Sequence, residues 1–215
     1  MFHKFDAFFV VTSMKRFIVG ILLLFCCSAI SEAQSLTAKT NVLYWGTTTP
    51  NIGLEYSIAP RWSIELECGY NPWTFDKENN IKAKHFLVSP EIRYWFCETF
   101  NGHFIGLQAN YVMYNVGGGI PFPAAFGPSV ESESLMLSSL KNSRNEGWAA
   151  GAGLLYGYSW PIARRWNIEA NLGVGFWYTE YDRYQTRKCG LFQDSVSKTV
   201  FGLTSLGLSF VYIIL

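Results

Sequence analysis

The sequence predicts an all-β protein: eight antiparallel strands wound up and down into a transmembrane barrel, behind an N-terminal signal peptide. Three observations carry this expectation. Runs of strict period-two alternation fill the chain after residue 35. The connections between those runs alternate short and long, as membrane barrels require. Charged residues make up only 15% while aromatics reach 17%, with 12 Tyr and 8 Trp, against roughly 25% charged in soluble domains. Tyr and Trp favour a membrane interface because one end of each is apolar and the other wet. A strongly aromatic soluble β protein has the same composition, so the other two observations decide. The length of 215 residues suits one domain. A net charge of +1 leaves no electrostatic footprint for nucleic acid.

The N-terminus comes first. Lys15 and Arg16 precede the apolar run Phe17 to Phe25, then small residues and Ser31-Glu32-Ala33, an A-x-A-like cleavage site. Charge, length and order read as a secretory signal over 1–33. The run is too short for a spanning helix, which needs about 20 residues. Met14 sits directly before Lys15 and offers a second start, with 1–13 as an extension. A competing reading lipidates Cys26 or Cys27, but Phe25 is bulky where that processing wants a small residue. Cleavage after Ala33 removes Lys4, Lys15 and Arg16 with Asp6 and Glu32, leaving the barrel domain 34–215 formally neutral. No other stretch suits a spanning helix. A membrane-spanning mature chain would therefore be a closed barrel, because open sheet edges cannot be satisfied in lipid.

The expected strands are 36–45, 51–58, 62–71, 84–96, 103–114, 147–160, 166–178 and 200–214. Most are near the roughly 9–11 residues of a tilted spanning strand. The seventh is clearest: Trp166, Ile168, Ala170, Leu172, Val174, Phe176 and Tyr178 on one face, Asn167, Glu169, Asn171, Gly173, Gly175 and Trp177 on the other. The third repeats the pattern from Trp62 to Tyr70. Short links follow strands two, four and six, at 59–61, 97–102 and 161–165. Longer loops follow three, five and seven, at 72–83, 115–146 and 179–199. The first link, Gly46 to Pro50, departs from the alternation. Short periplasmic turns and long outer loops place both ends of the barrel in the periplasm. A weak internal echo joins residues 53–65 to 157–169, each a hairpin with Arg-Trp at its turn.

The polar phase is expected to face the lumen. It carries Lys39, Glu55, Glu65, Glu67, Glu91, Arg93 and Glu169, interspersed with glycines that make room for long side chains. Eight strands enclose a space just wide enough for side chains. Unpaired charge there is costly, so Lys39 and Arg93 are expected to pair with the glutamates as a structural plug. Trp62 and Trp166 begin their strands and Tyr70 and Tyr178 end them. Each pair brackets an apolar band, as interfacial girdles do.

Several segments resemble one family: KTNVLY (39–44), TTTPNIGLE (47–55), GYNPWTF (69–75), KHFLVSPEIRYWFCETFNGHFIG (84–106), YNVGG (114–118), EGWAAGAGLLYGYSW (146–160) and RRWNIEANLGVGFWYTEYDRY (164–184). Together they resemble the domain-of-unknown-function 3575 family, β-rich secreted proteins of Bacteroidota. The resemblance covers nearly the whole mature chain. It implies an outer-membrane barrel and a Bacteroidota source, and it implies no activity. One departure is the ending Phe-Val-Tyr-Ile-Ile-Leu215, where outer-membrane strands often close on an aromatic residue; Tyr212 stands closest to that role.

Catalytic chemistry has little to stand on. Of three histidines, His3 precedes the mature chain, and His85 and His103 fall at opposite ends of the barrel. Cys and His show no metal spacing. Gly117-Gly118-Gly119 lacks the Lys-Ser/Thr of a phosphate loop. No cofactor or metal is expected. Cys68 on the lipid face, Cys97 in a periplasmic link and Cys189 in the last outer loop are too dispersed to pair. The expected role is non-enzymatic, structural or surface-interacting. Its partners are the bilayer and a surface protein or glycan met through the outer loops, where Phe122 and Phe126 are the binding candidates. The alternatives are an outer-membrane enzyme acting on lipid or peptide through His85 with Asp76 or Asp182, and a soluble periplasmic binding barrel.

Overall fold

The computed structural model describes residues 36–76, 81–117, 143–185 and 190–215. The elements are β1 (Leu36–Asn41), α1 (Val42–Gly46), β2 (Asn51–Ala59), β3 (Trp62–Asn71), β4 (Thr74–Asp76), β5 (Ile81–Trp95), β6 (Gly102–Gly117), β7 (Ser143–Ala163), β8 (Trp166–Gln185) and β9 (Phe192–Ile213). Among the described residues, consecutive strands pair antiparallel except β3 and β4. β3 pairs directly with β5, and β1 pairs with β9 from Thr37–Ile213 to Asn41–Ser209. Eight strands thus close into an up-and-down barrel, with three-residue β4 hydrogen-bonded only to β5 outside the ring. Closure gives every wall strand two neighbours along at least part of its length, which removes most of the edge problem of an open sheet.

Alternation decides which side of the wall each residue takes. In β3, Ser63 and Glu65 are buried in the lumen while Ile64, Leu66 and Tyr70 are exposed outside. The same holds in β8, where Asn167, Glu169, Trp177 and Thr179 point in and Leu172, Val174 and Phe176 point out. Tight two-residue turns, Pro60-Arg61 and Arg164-Arg165, lie at the end where β1 starts and β9 finishes.

The strands β5, β6 and β7 run a few residues beyond one or both expected ends, β4 lies in the expected loop 72–83, and two further regions depart from the sequence expectation. The first strand stops at Asn41 rather than continuing to 45. Asn41 caps α1, its side chain accepting from Leu43 N–H at 3.1 Å. It also accepts from Leu208 N–H at 3.3 Å and donates to Leu206 O at 3.3 Å, tying the cap to β9. The last hairpin is longer than expected: β8 runs to Gln185 and β9 begins at Phe192. Its upper pairs, such as Asp182–Ser195 and Arg183–Asp194, are polar on both faces. They carry ladder hydrogen bonds without the apolar alternation by which a strand is recognised.

Pro90 lies inside β5, opposite Leu66 of β3. It has no N–H to give, and the β5–β6 ladder skips Ser89 and Pro90 between Val88–Tyr111 and Glu91–Gln108. The Ser89 hydroxyl donates instead to the Ala109 carbonyl at 3.4 Å.

Candidate functional site: the charged lumen

The lumen is layered along the barrel. At the short-turn end, Trp95, Phe100, Phe104 and Leu155 pack into an apolar floor. Trp95 meets Phe104 at 4.6 Å and Phe100 at 6.0 Å between ring centroids. Phe100 belongs to the β5–β6 link and has φ 67, a left-handed conformation uncommon for a side chain of its size. Its carbonyl accepts from Asn167 Nδ2 at 2.6 Å and from Ser159 Oγ at 3.1 Å, which holds the link folded into the barrel mouth.

Above the floor lies a belt of charge. Lys39 Nζ is 2.8 Å from Glu55, 2.9 Å from Glu65 and 3.1 Å from Glu169. Arg93 reaches Glu91 at 2.6 Å, Glu169 at 2.8 Å, Glu55 at 3.3 Å, and also Glu65. These six side chains come from β1, β2, β3, β5 and β8, so the network clamps opposite sides of the ring. Ser63 donates to Glu55 and accepts from Trp95 Nε1 at 2.8 Å, and the Arg93 guanidinium sits 4.5 Å over the Phe104 ring. Both contacts join the belt to the floor. Gly53 is what admits the lysine: a Cβ there would come within 2.7 Å of Lys39 Cγ. Glu67 is half-buried and stands outside the belt.

The opposite end closes with a second apolar cluster. Tyr44 of α1 packs inside against Leu87, Val112, Ala149 and Trp177, with Tyr114 beside it. Trp177 Nε1 donates to Leu203 O at 2.8 Å. The helical turn after β1 thus places one aromatic ring across the lumen, while Val42, Leu43 and Trp45 remain exposed.

Sequence reasoning passed over both closures, although their signal was present. Leu87 and Trp95 share the inward phase of β5 with Glu91 and Arg93, and Phe104 and Val112 share that of β6 with Gln108 and Asn110. The inner phase was read for polarity, and these apolar members lie on it. Phe100 lies in a link, where no periodicity points to it, and Tyr44 falls on the outward phase of the expected strand 36–45, which the helical turn Val42–Gly46 replaces.

His85 Nδ1 lies 2.9 Å from the Ala83 carbonyl, which can only accept, so this nitrogen carries the proton. Its Nε2 lies 3.4 Å from Thr49 Oγ1, which also accepts from Asn71 Nδ2 at 3.1 Å. Strands β6 and β7 separate His85 from Asp182, which accepts from Ser195 Oγ. Asp76 is on β4, paired with Ile81. His103 is at the short-turn end, 2.6 Å from Tyr156 Oη. Among the described residues, no three His, Cys, Asp or Glu side chains converge as a set able to hold a metal ion by themselves. Cys68 and Cys97 are free thiols. Phe122, Phe126 and Cys189 lie outside the described residues.

The outer face carries the aromatics. Trp62 packs on Tyr94 at 5.1 Å, and Trp166 packs on Tyr212 at 4.9 Å, both at the short-turn end. Tyr178 packs on Trp148 at 5.5 Å, and Tyr70 stands opposite Phe86, both toward the other end. The rows Leu54–Leu66, Leu107–Leu154 and Leu172–Leu206 lie between, all exposed.

A family model described as a protein of unknown function, DUF3575, matches residues 19–214. The chain belongs to the DUF3575 family. No curated protein matches it. The match spans every strand of the ring, so the barrel with its charged belt and two apolar closures lies within the DUF3575 region. Chemically, the belt offers fixed carboxylates locked by two cations and walled from solvent. That arrangement clamps strands together.

Proposed function

We propose that this DUF3575 protein is a small barrel of the Gram-negative outer membrane, exported by a signal peptide, with a structural or surface-interaction role rather than a catalytic or transport one. The observation that carries the reading is the inversion of the wall: aliphatic residues outside, ion pairs inside. A water-soluble barrel of this size would bury its leucines. Here Leu107 and Leu154 are 60% and 64% exposed, while Glu55 and Arg93 are 0% and 1% exposed in the side chain. Immersion in lipid removes the cost of that outward apolar surface, and the flanking tryptophans and tyrosines suit the headgroup zones. The layered lumen argues against a diffusion path, so interaction with a surface protein or glycan falls to the long connections at the end opposite the tight turns.

Fractionation tests this directly. The native protein is expected in the membrane pellet, extracted by detergent and not by salt or carbonate, and to run faster on gels unheated than heated. Release into the soluble fraction without detergent would defeat the reading.

A further inference from the structure

The lumen has more carboxylates than it can pair. Lys39 and Arg93 together hold Glu55, Glu65, Glu91 and Glu169. Glu67, a fifth inward glutamate, makes no ion pair or hydrogen bond among the described residues. Fully ionised, five carboxylates against two cations would leave an excess of three negative charges inside the wall. Uncompensated charge in a low-dielectric interior is costly, so something must neutralise it.

Neutral ligands stand beside that excess. Glu91 is opposite Gln108 in register, and Glu67 is opposite Ser89 on the neighbouring strand. Glu67 therefore lies diagonally, one inward step along the wall from Glu91, which faces Gln108 across β5 and β6. Arg93 takes only Oε2 of Glu91. Gln108 is 4% exposed, yet neither its Oε1 nor its Nε2 has a partner among the described residues, and Thr204 Oγ1 is likewise unpartnered there. A Cβ built on Gly173 would sit 2.9 Å from Gln108 Oε1 and 2.9 Å from Thr204 Oγ1, so the two oxygens face the same patch of the inner wall and lie within about 6 Å of each other. A buried amide unsatisfied at both ends is rare and calls for a ligand.

We propose that the lumen binds one divalent cation of the calcium or magnesium class, held by carboxylate oxygens of Glu67 and Glu91 with Gln108 Oε1, Thr204 Oγ1 and water. The ligand chemistry selects the ion. All four proposed ligands are oxygens and two of them are neutral, which suits a hard cation that takes neutral oxygens and keeps part of its water. The apolar floor and the Tyr44 cluster close the space below and above. The ion would enter during folding and leave slowly. The inference concerns the lumen alone and does not depend on where the barrel resides.

The test uses the full barrel, folded with calcium and magnesium present, then treated with chelator while native, passed over a desalting column and analysed for metal. Retention of about one divalent ion per chain is expected, with release on thermal unfolding. Glu67→Gln and Gln108→Leu should each lose the retained ion while keeping the unheated gel mobility of the folded barrel. Gln108→Leu should also be at least as stable as wild type when both are folded in chelator, since it deletes an unsatisfied amide. Wild type folded with calcium and magnesium but retaining no metal would mean that protons neutralise the excess charge, and would overturn the proposal. Full metal content in both folded variants would place the ion elsewhere and overturn it equally.

Discussion

At the scale of single residues, the barrel depends on a few side chains that have no substitute. Arg93 contacts four carboxylates, and its removal leaves them facing one another in a closed lumen. Breaking a buried ion pair by deleting one partner costs about 3–5 kcal/mol. Arg93→Ala is therefore expected to lower the unfolding free energy by that order in denaturant titrations of the folded barrel. Pairing it with Glu91→Gln should recover part of the loss, a coupling that a double-mutant cycle would read. Two glycines give a sharper contrast. A Cβ on Gly157 would collide with the Phe104 ring and lie 2.7 Å from Ala170 O, whereas one on Gly202 meets nothing within 4 Å. Gly157→Ala should cost about 1–3 kcal/mol by overpacking the floor. Gly202→Ala should stay within about 0.5 kcal/mol. Equal effects at the two positions would contradict the packing of Phe104.

At the scale of elements, β1 is the unusual strand. It has 6 residues beside the 22 of β9, and α1 continues the chain where the strand stops. Asn41 makes that change of structure by capping the helix and bonding both Leu206 and Leu208. Asn41→Ala is expected to cost about 1–2 kcal/mol and to raise hydrogen exchange at Leu43 and Leu208 before other amides. Uniform exchange across the barrel would show that the cap has no local part. The outward face of β8 tests the bilayer reading at the same scale. Leu172→Arg puts a charge midway between Trp166 and Tyr178, at a cost of about 2–4 kcal/mol if that face meets lipid. Folding into liposomes should then fail or slow markedly, and an unchanged yield would count against a lipid-facing wall.

At the scale of the whole molecule, the layered lumen sets what crosses the barrel. Two apolar closures bracket a salt-bridge belt, so purified protein in planar bilayers is expected to show no steady conductance. Large stable channels would defeat the closed-lumen account and favour transport. Orientation has its own readout. Cys97 is exposed in the link at the short-turn end, which the proposed topology places in the periplasm. A membrane-impermeant thiol reagent should leave it unlabelled on intact cells and label it after permeabilisation. Labelling on intact cells would invert the barrel.

The strands and their phase were legible from the chain alone, because a wall with unlike solvents on its two faces imprints period two on every segment that spans it, whereas the expected long connection 179–199 is mostly strand, with β8 reaching Gln185 and β9 starting at Phe192. Trp166 to Tyr178 shows this without any contact being known. The inward position of Glu65, Glu91 and Glu169 follows from the same alternation, but which cation meets which glutamate does not. Lys39 and Glu169 are 130 residues apart and become partners only when β9 closes the ring between them. The floor and the Tyr44 closure were likewise decided by the tertiary structure. Phe100 lies in a link, where no repeating pattern constrains side-chain direction, and Tyr44 lies where alternation expects an outward strand residue and the helical turn swings it inward. Their burial is set by the empty ends of a cylinder, and that cylinder exists only after the strands have joined. The half-length of β1 has the same origin: its alternation runs on past Asn41, and the competition between a further strand pair and a capped helical turn is settled by the contacts Asn41 finds on β9.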